Sequence, residues 1–233
     1  MKRGGLFITG TGTEVGKTTV TALLGALLQR SGYDLGLFKP VHTGVRGRHC
    51  PDLEMYSRFI TLTDAEREII PLRFREPQAP TIAAEMEKKQ VQIEKVLRTF
   101  YILRKRHANL LIEGIGGVEV PVSKDYRVRD LIRRFALPAL VVARPDLGTI
   151  NHTCLTVRAL RHDGLVVAGI VFSNIPPGGR KTFRLVEREI VRLTRCPVLG
   201  RVPRFNPAAP VTRIVHAARQ WFDMTGIRTY FIK

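Results

Sequence analysis

The stretch Ile8-Thr9-Gly10-Thr11-Gly12-Thr13-Glu14-Val15-Gly16-Lys17-Thr18-Thr19 has the residue types and spacing for phosphate chemistry. Its glycines let successive backbone N–H groups turn toward one point, and a helix starting there adds positive potential. Lys17 is placed to reach terminal phosphates, and the Thr18 hydroxyl to bind Mg2+. An apolar run, Leu6-Phe7-Ile8, precedes the turn; Val20, Leu23, Leu24, Leu27 and Leu28 after it share one helical face. Five residues, against the usual four, separate Gly10 from Gly16, and Thr11 stands where the first glycine usually does. Strand, glycine turn, Gly-Lys-Thr and helix together read as a nucleoside triphosphate site.

Three more side chains join this loop on chemical grounds. Glu113 follows the apolar run Leu110-Leu111-Ile112 and precedes Gly114-Ile115-Gly116-Gly117. In a nucleotide-binding α/β chain an acid there holds Mg2+ directly or through water. Lys39 ends a second apolar run, Leu35-Gly36-Leu37-Phe38, where it can stabilise transferred phosphoryl charge. Asp52 follows Pro51 and admits two readings, a helix start or a metal ligand. The six histidines (42, 49, 107, 152, 162 and 216) show no zinc-like spacing, and no Gly-x-Ser-x-Gly elbow occurs.

Positioning these groups requires strands that end beside one another. Strands are expected over 35–38, 110–112, 139–143, 166–172 and 197–200, and helices over 52–60, 81–87, 93–106, 127–135 and 146–162, then one carrying Phe183, Val186, Ile190 and Leu193, then 211–222. A loop over 44–51 and a turn over 173–179 punctuate the order. Alternating strands and helices imply an α/β, single-domain P-loop NTPase-like fold, a mostly parallel sheet with helices on both faces. That domain is expected over 1–226, with 227–233 as a C-terminal tail.

Composition narrows the class further. The 233 residues suit one large domain, and 44% are hydrophobic, enough for a substantial core. Three scattered cysteines argue for a reducing cytoplasm rather than a disulfide framework. Met1-Lys2-Arg3-Gly4-Gly5 leads straight into the first strand, so no signal peptide is expected, and no apolar run approaches a membrane span. Lys and Arg number 38 against 20 Asp and Glu, a net charge of +18. The basic residues are dispersed among acids on outward helix faces, which reads as a solvated surface and not a specific nucleic-acid or membrane site.

The motifs together resemble the dethiobiotin synthetase family. The resemblance is carried by residues 9–18, Lys39-Pro40-Val41 with Thr43-Gly44, Ala79-Pro80 with Ala83-Ala84, and Glu113-Gly114-Ile115-Gly116-Gly117 with Val120-Pro121. Leu147-Gly148-Thr149-Ile150-Asn151-His152, Asn174 and Val202-Pro203 continue it in family order to about residue 205. It implies a cytoplasmic ligase of biotin biosynthesis that uses ATP, Mg2+ and CO2 or bicarbonate to close a ring on diaminopelargonic acid. A carbamate and a carbamic–phosphoric anhydride are the implied intermediates. On that resemblance Lys17, Lys39 and Thr43 are catalytic. The backbone of Glu14, Val15, Gly16, Lys17, Thr18 and Thr19 cradles phosphate; Thr18, Asp52 and Glu113 surround Mg2+; Asn174, Val202, Pro203 and Arg204 meet adenine. Thr43 and the segments Gly114, Ile115, Gly116, Gly117 and Gly148, Thr149, Ile150, Asn151 meet the substrate, the latter from the second subunit of a homodimer.

Several positions depart from the family pattern: Gly12 replaces a frequent Asp, Thr43 a Ser, Thr81 a frequent His, and the 44–52 loop is short. Two rivals remain, a different ligase of the same superfamily and an ATPase of a different class. An amidating synthase would normally carry a glutaminase domain, for which too little chain follows residue 205. A partitioning-type ATPase would place a signature lysine where Gly12 stands.

Overall fold

The computed structural model describes residues 4–45, 47, 49–178 and 180–233. Met1–Arg3 ahead of the first strand, Arg46 and Arg48 of the expected 44–51 loop, and Gly179 of the expected turn lie outside the described residues. In chain order the elements are β1 (Gly4–Gly10), α1 (Lys17–Arg30), β2 (Leu35–Phe38), β3 (Val41–Thr43), α2 (Pro51–Phe59), α3 (Glu66–Ile69), β4 (Leu72–Phe74), α4 (Pro80–Met86) and α5 (Ile93–Arg106). Then follow β5 (Asn109–Gly117), α6 (Val128–Phe135), β6 (Ala139–Ala143), α7 (Thr149–His162), β7 (Val167–Ile175), α8 (Arg180–Thr194), β8 (Val198–Pro203), α9 (Val211–Ala218) and α10 (Met224–Arg228).

Six strands form one parallel sheet in the order β2-β5-β1-β6-β7-β8, which is the expected α/β class. From β1 the chain runs outward to β2 on one side and later to β6 on the other. The crevice at the carboxyl end of β1 is therefore the topological switch point, where such sheets bind ligands. Strand parity sorts side chains into two cores. Leu6, Ile8, Leu111, Leu140 and Val142 pack with α1, α2 and α9, whereas Phe7, Leu110, Ile112, Val141 and Phe172 pack with α5 to α8. Fully burying each such side chain stabilises the fold by about 1.5–3 kcal/mol. On the second face Phe100 stacks on Phe135 at 4.1 Å, and Phe7 and Phe38 close around them.

Three expectations need correction. The strand expected to stop at Ile112 runs to Gly117, because Glu113 still pairs with Ile8 and Gly117 with Gly10. Short β3 and β4 pair in a second, two-stranded parallel sheet that the pattern did not announce. The segment read as a tail is packed: Ile227 and Phe231 are buried, and Asn109 bonds both backbone groups of Ile232.

Candidate active site

Parity decides who meets whom. Glu113 lies one residue beyond the second-face residue Ile112, so its carboxylate points to the α1–α2 face of the sheet, as Leu111 does. β1 ends at Gly10, and α1 begins at Lys17 behind Gly16, whose φ of 93° suits glycine. A Cβ on Gly16 would lie 2.3 Å from the Ser173 hydroxyl, so β7 presses directly on the loop. Glu14 adopts φ 55°, a left-handed conformation that costs energy outside glycine, and it lies in the loop proposed to cradle phosphate.

Four functional side chains converge there. Thr18 Oγ1 lies 3.1 Å from Asp52 Oδ1 and 2.9 Å from Glu113 Oε1, within reach of both acceptors for its one proton. Lys39 Nζ donates to Glu113 Oε1 at 2.8 Å and also to Asp52 Oδ2. The Tyr56 hydroxyl donates to Glu113 Oε2 at 2.5 Å, and His42 Nδ1 lies 3.0 Å from Asp52 Oδ2. Lys17 Nζ, on the loop side, donates to Gly12 O at 2.8 Å.

Burial makes these charges interdependent. Desolvation pulls Lys17 down to about 8, against the attraction of Glu113, while Lys39 adds repulsion. Burial also opposes the charge of Lys39, but Glu113 and Asp52 outweigh it and hold that ammonium above its usual range. Asp52 is buried too, yet the His42 hydrogen bond and Lys39 keep its carboxyl well below the usual range. His42 loses from desolvation and gains more from Asp52 and Cys50, which push it up to about 9. Burial and the Glu113 charge drive the Tyr56 phenol upward, so it is a neutral donor.

Two carboxylates and a hydroxyl form a hard, all-oxygen donor set. Mg2+ takes such sets when phosphate oxygens and waters complete its octahedron, so the residues fit that ion. Among the described residues no group of three or more His, Cys, Asp and Glu side chains gathers to hold a metal, here or elsewhere, so the fit rests on two carboxylates and the Thr18 hydroxyl.

Other expected residues divide into those near the loop and those away from it. A cavity of about 330 Å³ is lined by Thr11, Gly12, Thr13 and Val15 on one side and by Arg144, Asp146, Leu147, Thr149 and His152 on the other. The start of α7, capped by Gly148 at φ 89°, thus faces the loop within one chain, with Ile150 half-buried and Asn151 exposed. Gly116 and Gly117 also border the loop, near Thr13 and Gly12. Gly114 does not: its Cβ would meet Phe7 at 2.8 Å, so its glycine serves packing on the far face. Thr43 ends β3, half-buried, beside His42.

At the far end of the crevice Asn174 adopts φ 60°, and Arg204 N donates to Ile175 O at 2.8 Å, bringing β7 and the Val202-Pro203-Arg204 segment together. The Val202 side chain belongs to the core. A larger cavity, about 680 Å³, opens beside Ile175 and Pro203 and is lined by Phe183 and Trp221, not by the Lys39 cluster. Sequence reasoning missed Tyr56, His42 and Ser173. For Tyr56 one signal existed, its place four residues after Asp52 on the same helix face.

Comparison with known proteins gives the family. Residues 4–212 match the family described as AAA domain. The ATP-dependent dethiobiotin synthetase BioD of Bacillus subtilis subsp. natto is 36% identical over 223 residues, 95% of this chain and 96% of its own. The protein of that name from Methanococcus vannielii is 38% identical over 187 residues, 78% of this chain and 87% of its own. The chain belongs to the dethiobiotin synthetase family.

Solved structures place that family member among P-loop folds. A chain of the MinC:MinD cell division protein complex of Aquifex aeolicus superposes with TM-score 0.55 at 17% identity, covering 93% of this chain and 94% of that one. A ParA family ATPase from Chlorobium tepidum gives TM-score 0.54 at 12% identity, over 94% and 90%. Both share the fold alone. No helix among the described residues is long and apolar enough to cross a membrane. Against the dethiobiotin synthetase pattern, Gly12 leaves open space, since a Cβ there meets nothing within 4 Å.

Proposed function

We propose that this chain catalyses the ATP-dependent closure of the ureido ring of dethiobiotin from diaminopelargonic acid and CO2. The observation that carries this reading is the convergence of Thr18, Lys39, Asp52 and Glu113 on the loop that ends at Lys17. One amine of the substrate takes up CO2 as a carbamate, whose oxygen attacks the γ-phosphate of ATP and expels ADP. The second amine then attacks the carbonyl of the mixed anhydride and expels phosphate. These steps pass through no covalent bond to the chain, so the chain's work in this reading is positioning and charge neutralisation.

In this reading Lys17 meets the phosphates, and Lys39, already charged between two carboxylates, meets the developing charge between carbamate and phosphate. Thr43 hydrogen-bonds the carbamate. Thr18, Asp52 and Glu113 would hold Mg2+, which when bound neutralises charge on the β- and γ-phosphates. Asn174 and the backbone of Val202, Pro203 and Arg204 receive the adenine. The amides from Gly148 to Asn151 suit a carboxylate, as helix N-termini do. Leu147, just ahead of α7, is wholly exposed and Leu155 on α7 is half exposed, which supports a homodimer with its substrate sites at the interface.

The test is ADP release with Mg-ATP and bicarbonate, with and without diaminopelargonic acid. Release that requires the diamine and matches dethiobiotin formed is expected. Turnover indifferent to the diamine would instead favour another amide-forming ligase or a partitioning-type ATPase.

A further inference from the structure

A carboxylate rotates freely about its last bond, with a broad torsional preference, so an acid near phosphates is ordered only when something fixes one oxygen. Both acids of the cluster are fixed on their outer side. Tyr56 OH reaches Glu113 Oε2 at 2.5 Å, while Thr18 and Lys39 lie 2.9 and 2.8 Å from Oε1. Asp52 Oδ2 is held by His42 Nδ1 at 3.0 Å together with Lys39 Nζ, leaving Oδ1 to face Thr18 at 3.1 Å. Tyr56 is fully buried in an otherwise apolar core, where phenylalanine would fill the same space with no hydroxyl to satisfy.

We propose that Tyr56 and His42 are positioning residues: each holds the outer oxygen of one carboxylate so that Glu113 and Asp52 turn their inner oxygens together toward a divalent cation beside the phosphates. This rests on the ATP- and Mg2+-dependent reading above. The arrangement selects for geometry as well as charge. Mg2+ demands near-ideal octahedral ligands, whereas Ca2+ accepts looser and more variable ones. A carboxylate released from its outer hydrogen bond therefore harms Mg2+ more than Ca2+.

The experiment titrates Mg2+, then Ca2+, calorimetrically into protein saturated with adenylyl imidodiphosphate, and measures the analogue's affinity without metal. Tyr56→Phe should weaken Mg2+ about 10–100-fold, the range seen when outer partners of metal ligands are removed. Ca2+ should weaken less, and metal-free analogue affinity should stay unchanged. His42→Leu should act in the same direction, and His42→Asn, whose amide can replace the Nδ1–H donor, should restore most of the loss. If Tyr56→Phe fails to fold, the His42 pair carries the test. Equal losses for both cations, or parallel loss of analogue affinity, would make the two residues merely structural and overturn the proposal. So would unchanged Mg2+ affinity in the variants. A wild-type analogue complex that binds no Mg2+ would overturn both this proposal and the reading beneath it, whereas diamine-independent ADP release would overturn that reading alone.

Discussion

Two buried polar networks sit at opposite ends of the same strands. At the carboxyl end Lys39, Asp52, Glu113, Thr18 and Tyr56 gather beside the glycine loop. At the amino end of β2 and β5, His107 places Nδ1 2.8 Å from Asp34 and Nε2 2.9 Å from Asp64, and Arg106 also binds Asp64 and Glu68. Asn109, beside them, bonds Asp34 O at 2.9 Å and both backbone groups of Ile232 at 2.7 Å. Asn109 has every polar atom of its amide engaged within the chain. The first network instead gathers buried charges beside Lys17, whose ammonium desolvation pulls below its usual range against the attraction of Glu113. Similar residue types therefore tie chain segments together at one end and gather beside the glycine loop at the other.

Lys17→Ala should break the first network with the largest effect. Removing a phosphate-binding ammonium is expected to lower ADP release at least about 10³-fold, in line with the loss of one preorganised charged donor. Stability should not fall. A lysine held below its ordinary value is destabilising to the folded state at neutral pH, because the unfolded chain binds its proton more tightly. A melting temperature at or above wild type, with turnover lost, is the outcome that fits; near-normal turnover would remove Lys17 from the phosphates.

Asn109→Ala should do the reverse. It removes three part-buried hydrogen bonds to the backbone of Asp34 and Ile232, which costs about 2–3 kcal/mol and lowers the melting temperature by roughly 5–10 °C. Below that transition ADP release per folded molecule should match wild type. A stable variant would mean that the carboxyl-terminal segment is not held by this side chain.

The contrast also explains what could be read from the chain alone. Glu113 was legible because an acid after three apolar residues and before glycines has few other uses, and strand parity then fixes its face. Tyr56 was not, since a large aromatic on the inner face of a helix looks like any core residue until the atom near its hydroxyl is known. Nor was the packing of Gly114 legible: a Cβ there would meet the Phe7 ring across the sheet, a contact between residues far apart in sequence. β3 and β4 are three residues each, too short for alternation to register. The 227–233 segment looked like a tail because Ile227 and Phe231 carry no period, yet both are buried.

Thr43→Val probes a smaller difference within the first network. The substitution keeps shape at the end of β3 but removes a hydroxyl, so ATP affinity should hold while turnover with the diamine falls about tenfold, near the worth of one hydrogen bond to a charged group. An unchanged rate would reduce Thr43 to a strand-end residue. Steady-state kinetics at saturating ATP separates the outcomes.

Asp34→Asn should give the smallest effect, and its pH dependence sharpens the comparison most. Burial works against the Asp34 carboxylate, but hydrogen bonds from His107 and the Ala108 amide outweigh it and hold the group below its ordinary value. A depressed carboxyl contributes stability above its unfolded value, near 3.9, and loses it as pH falls through the folded one. Because the side chain is about half exposed (53%), solvent screening limits this to about 0.5 kcal/mol. The melting temperature of the variant should therefore lie slightly below wild type at pH 7, and the gap should close on acidification below the ordinary carboxylate range. ADP release should not follow that gap at any pH, since Asp34 sits at the end of the sheet away from the glycine loop. A gap that persists in acid would assign the stability to the shape of the Asp34 hydrogen bonds and not to its charge.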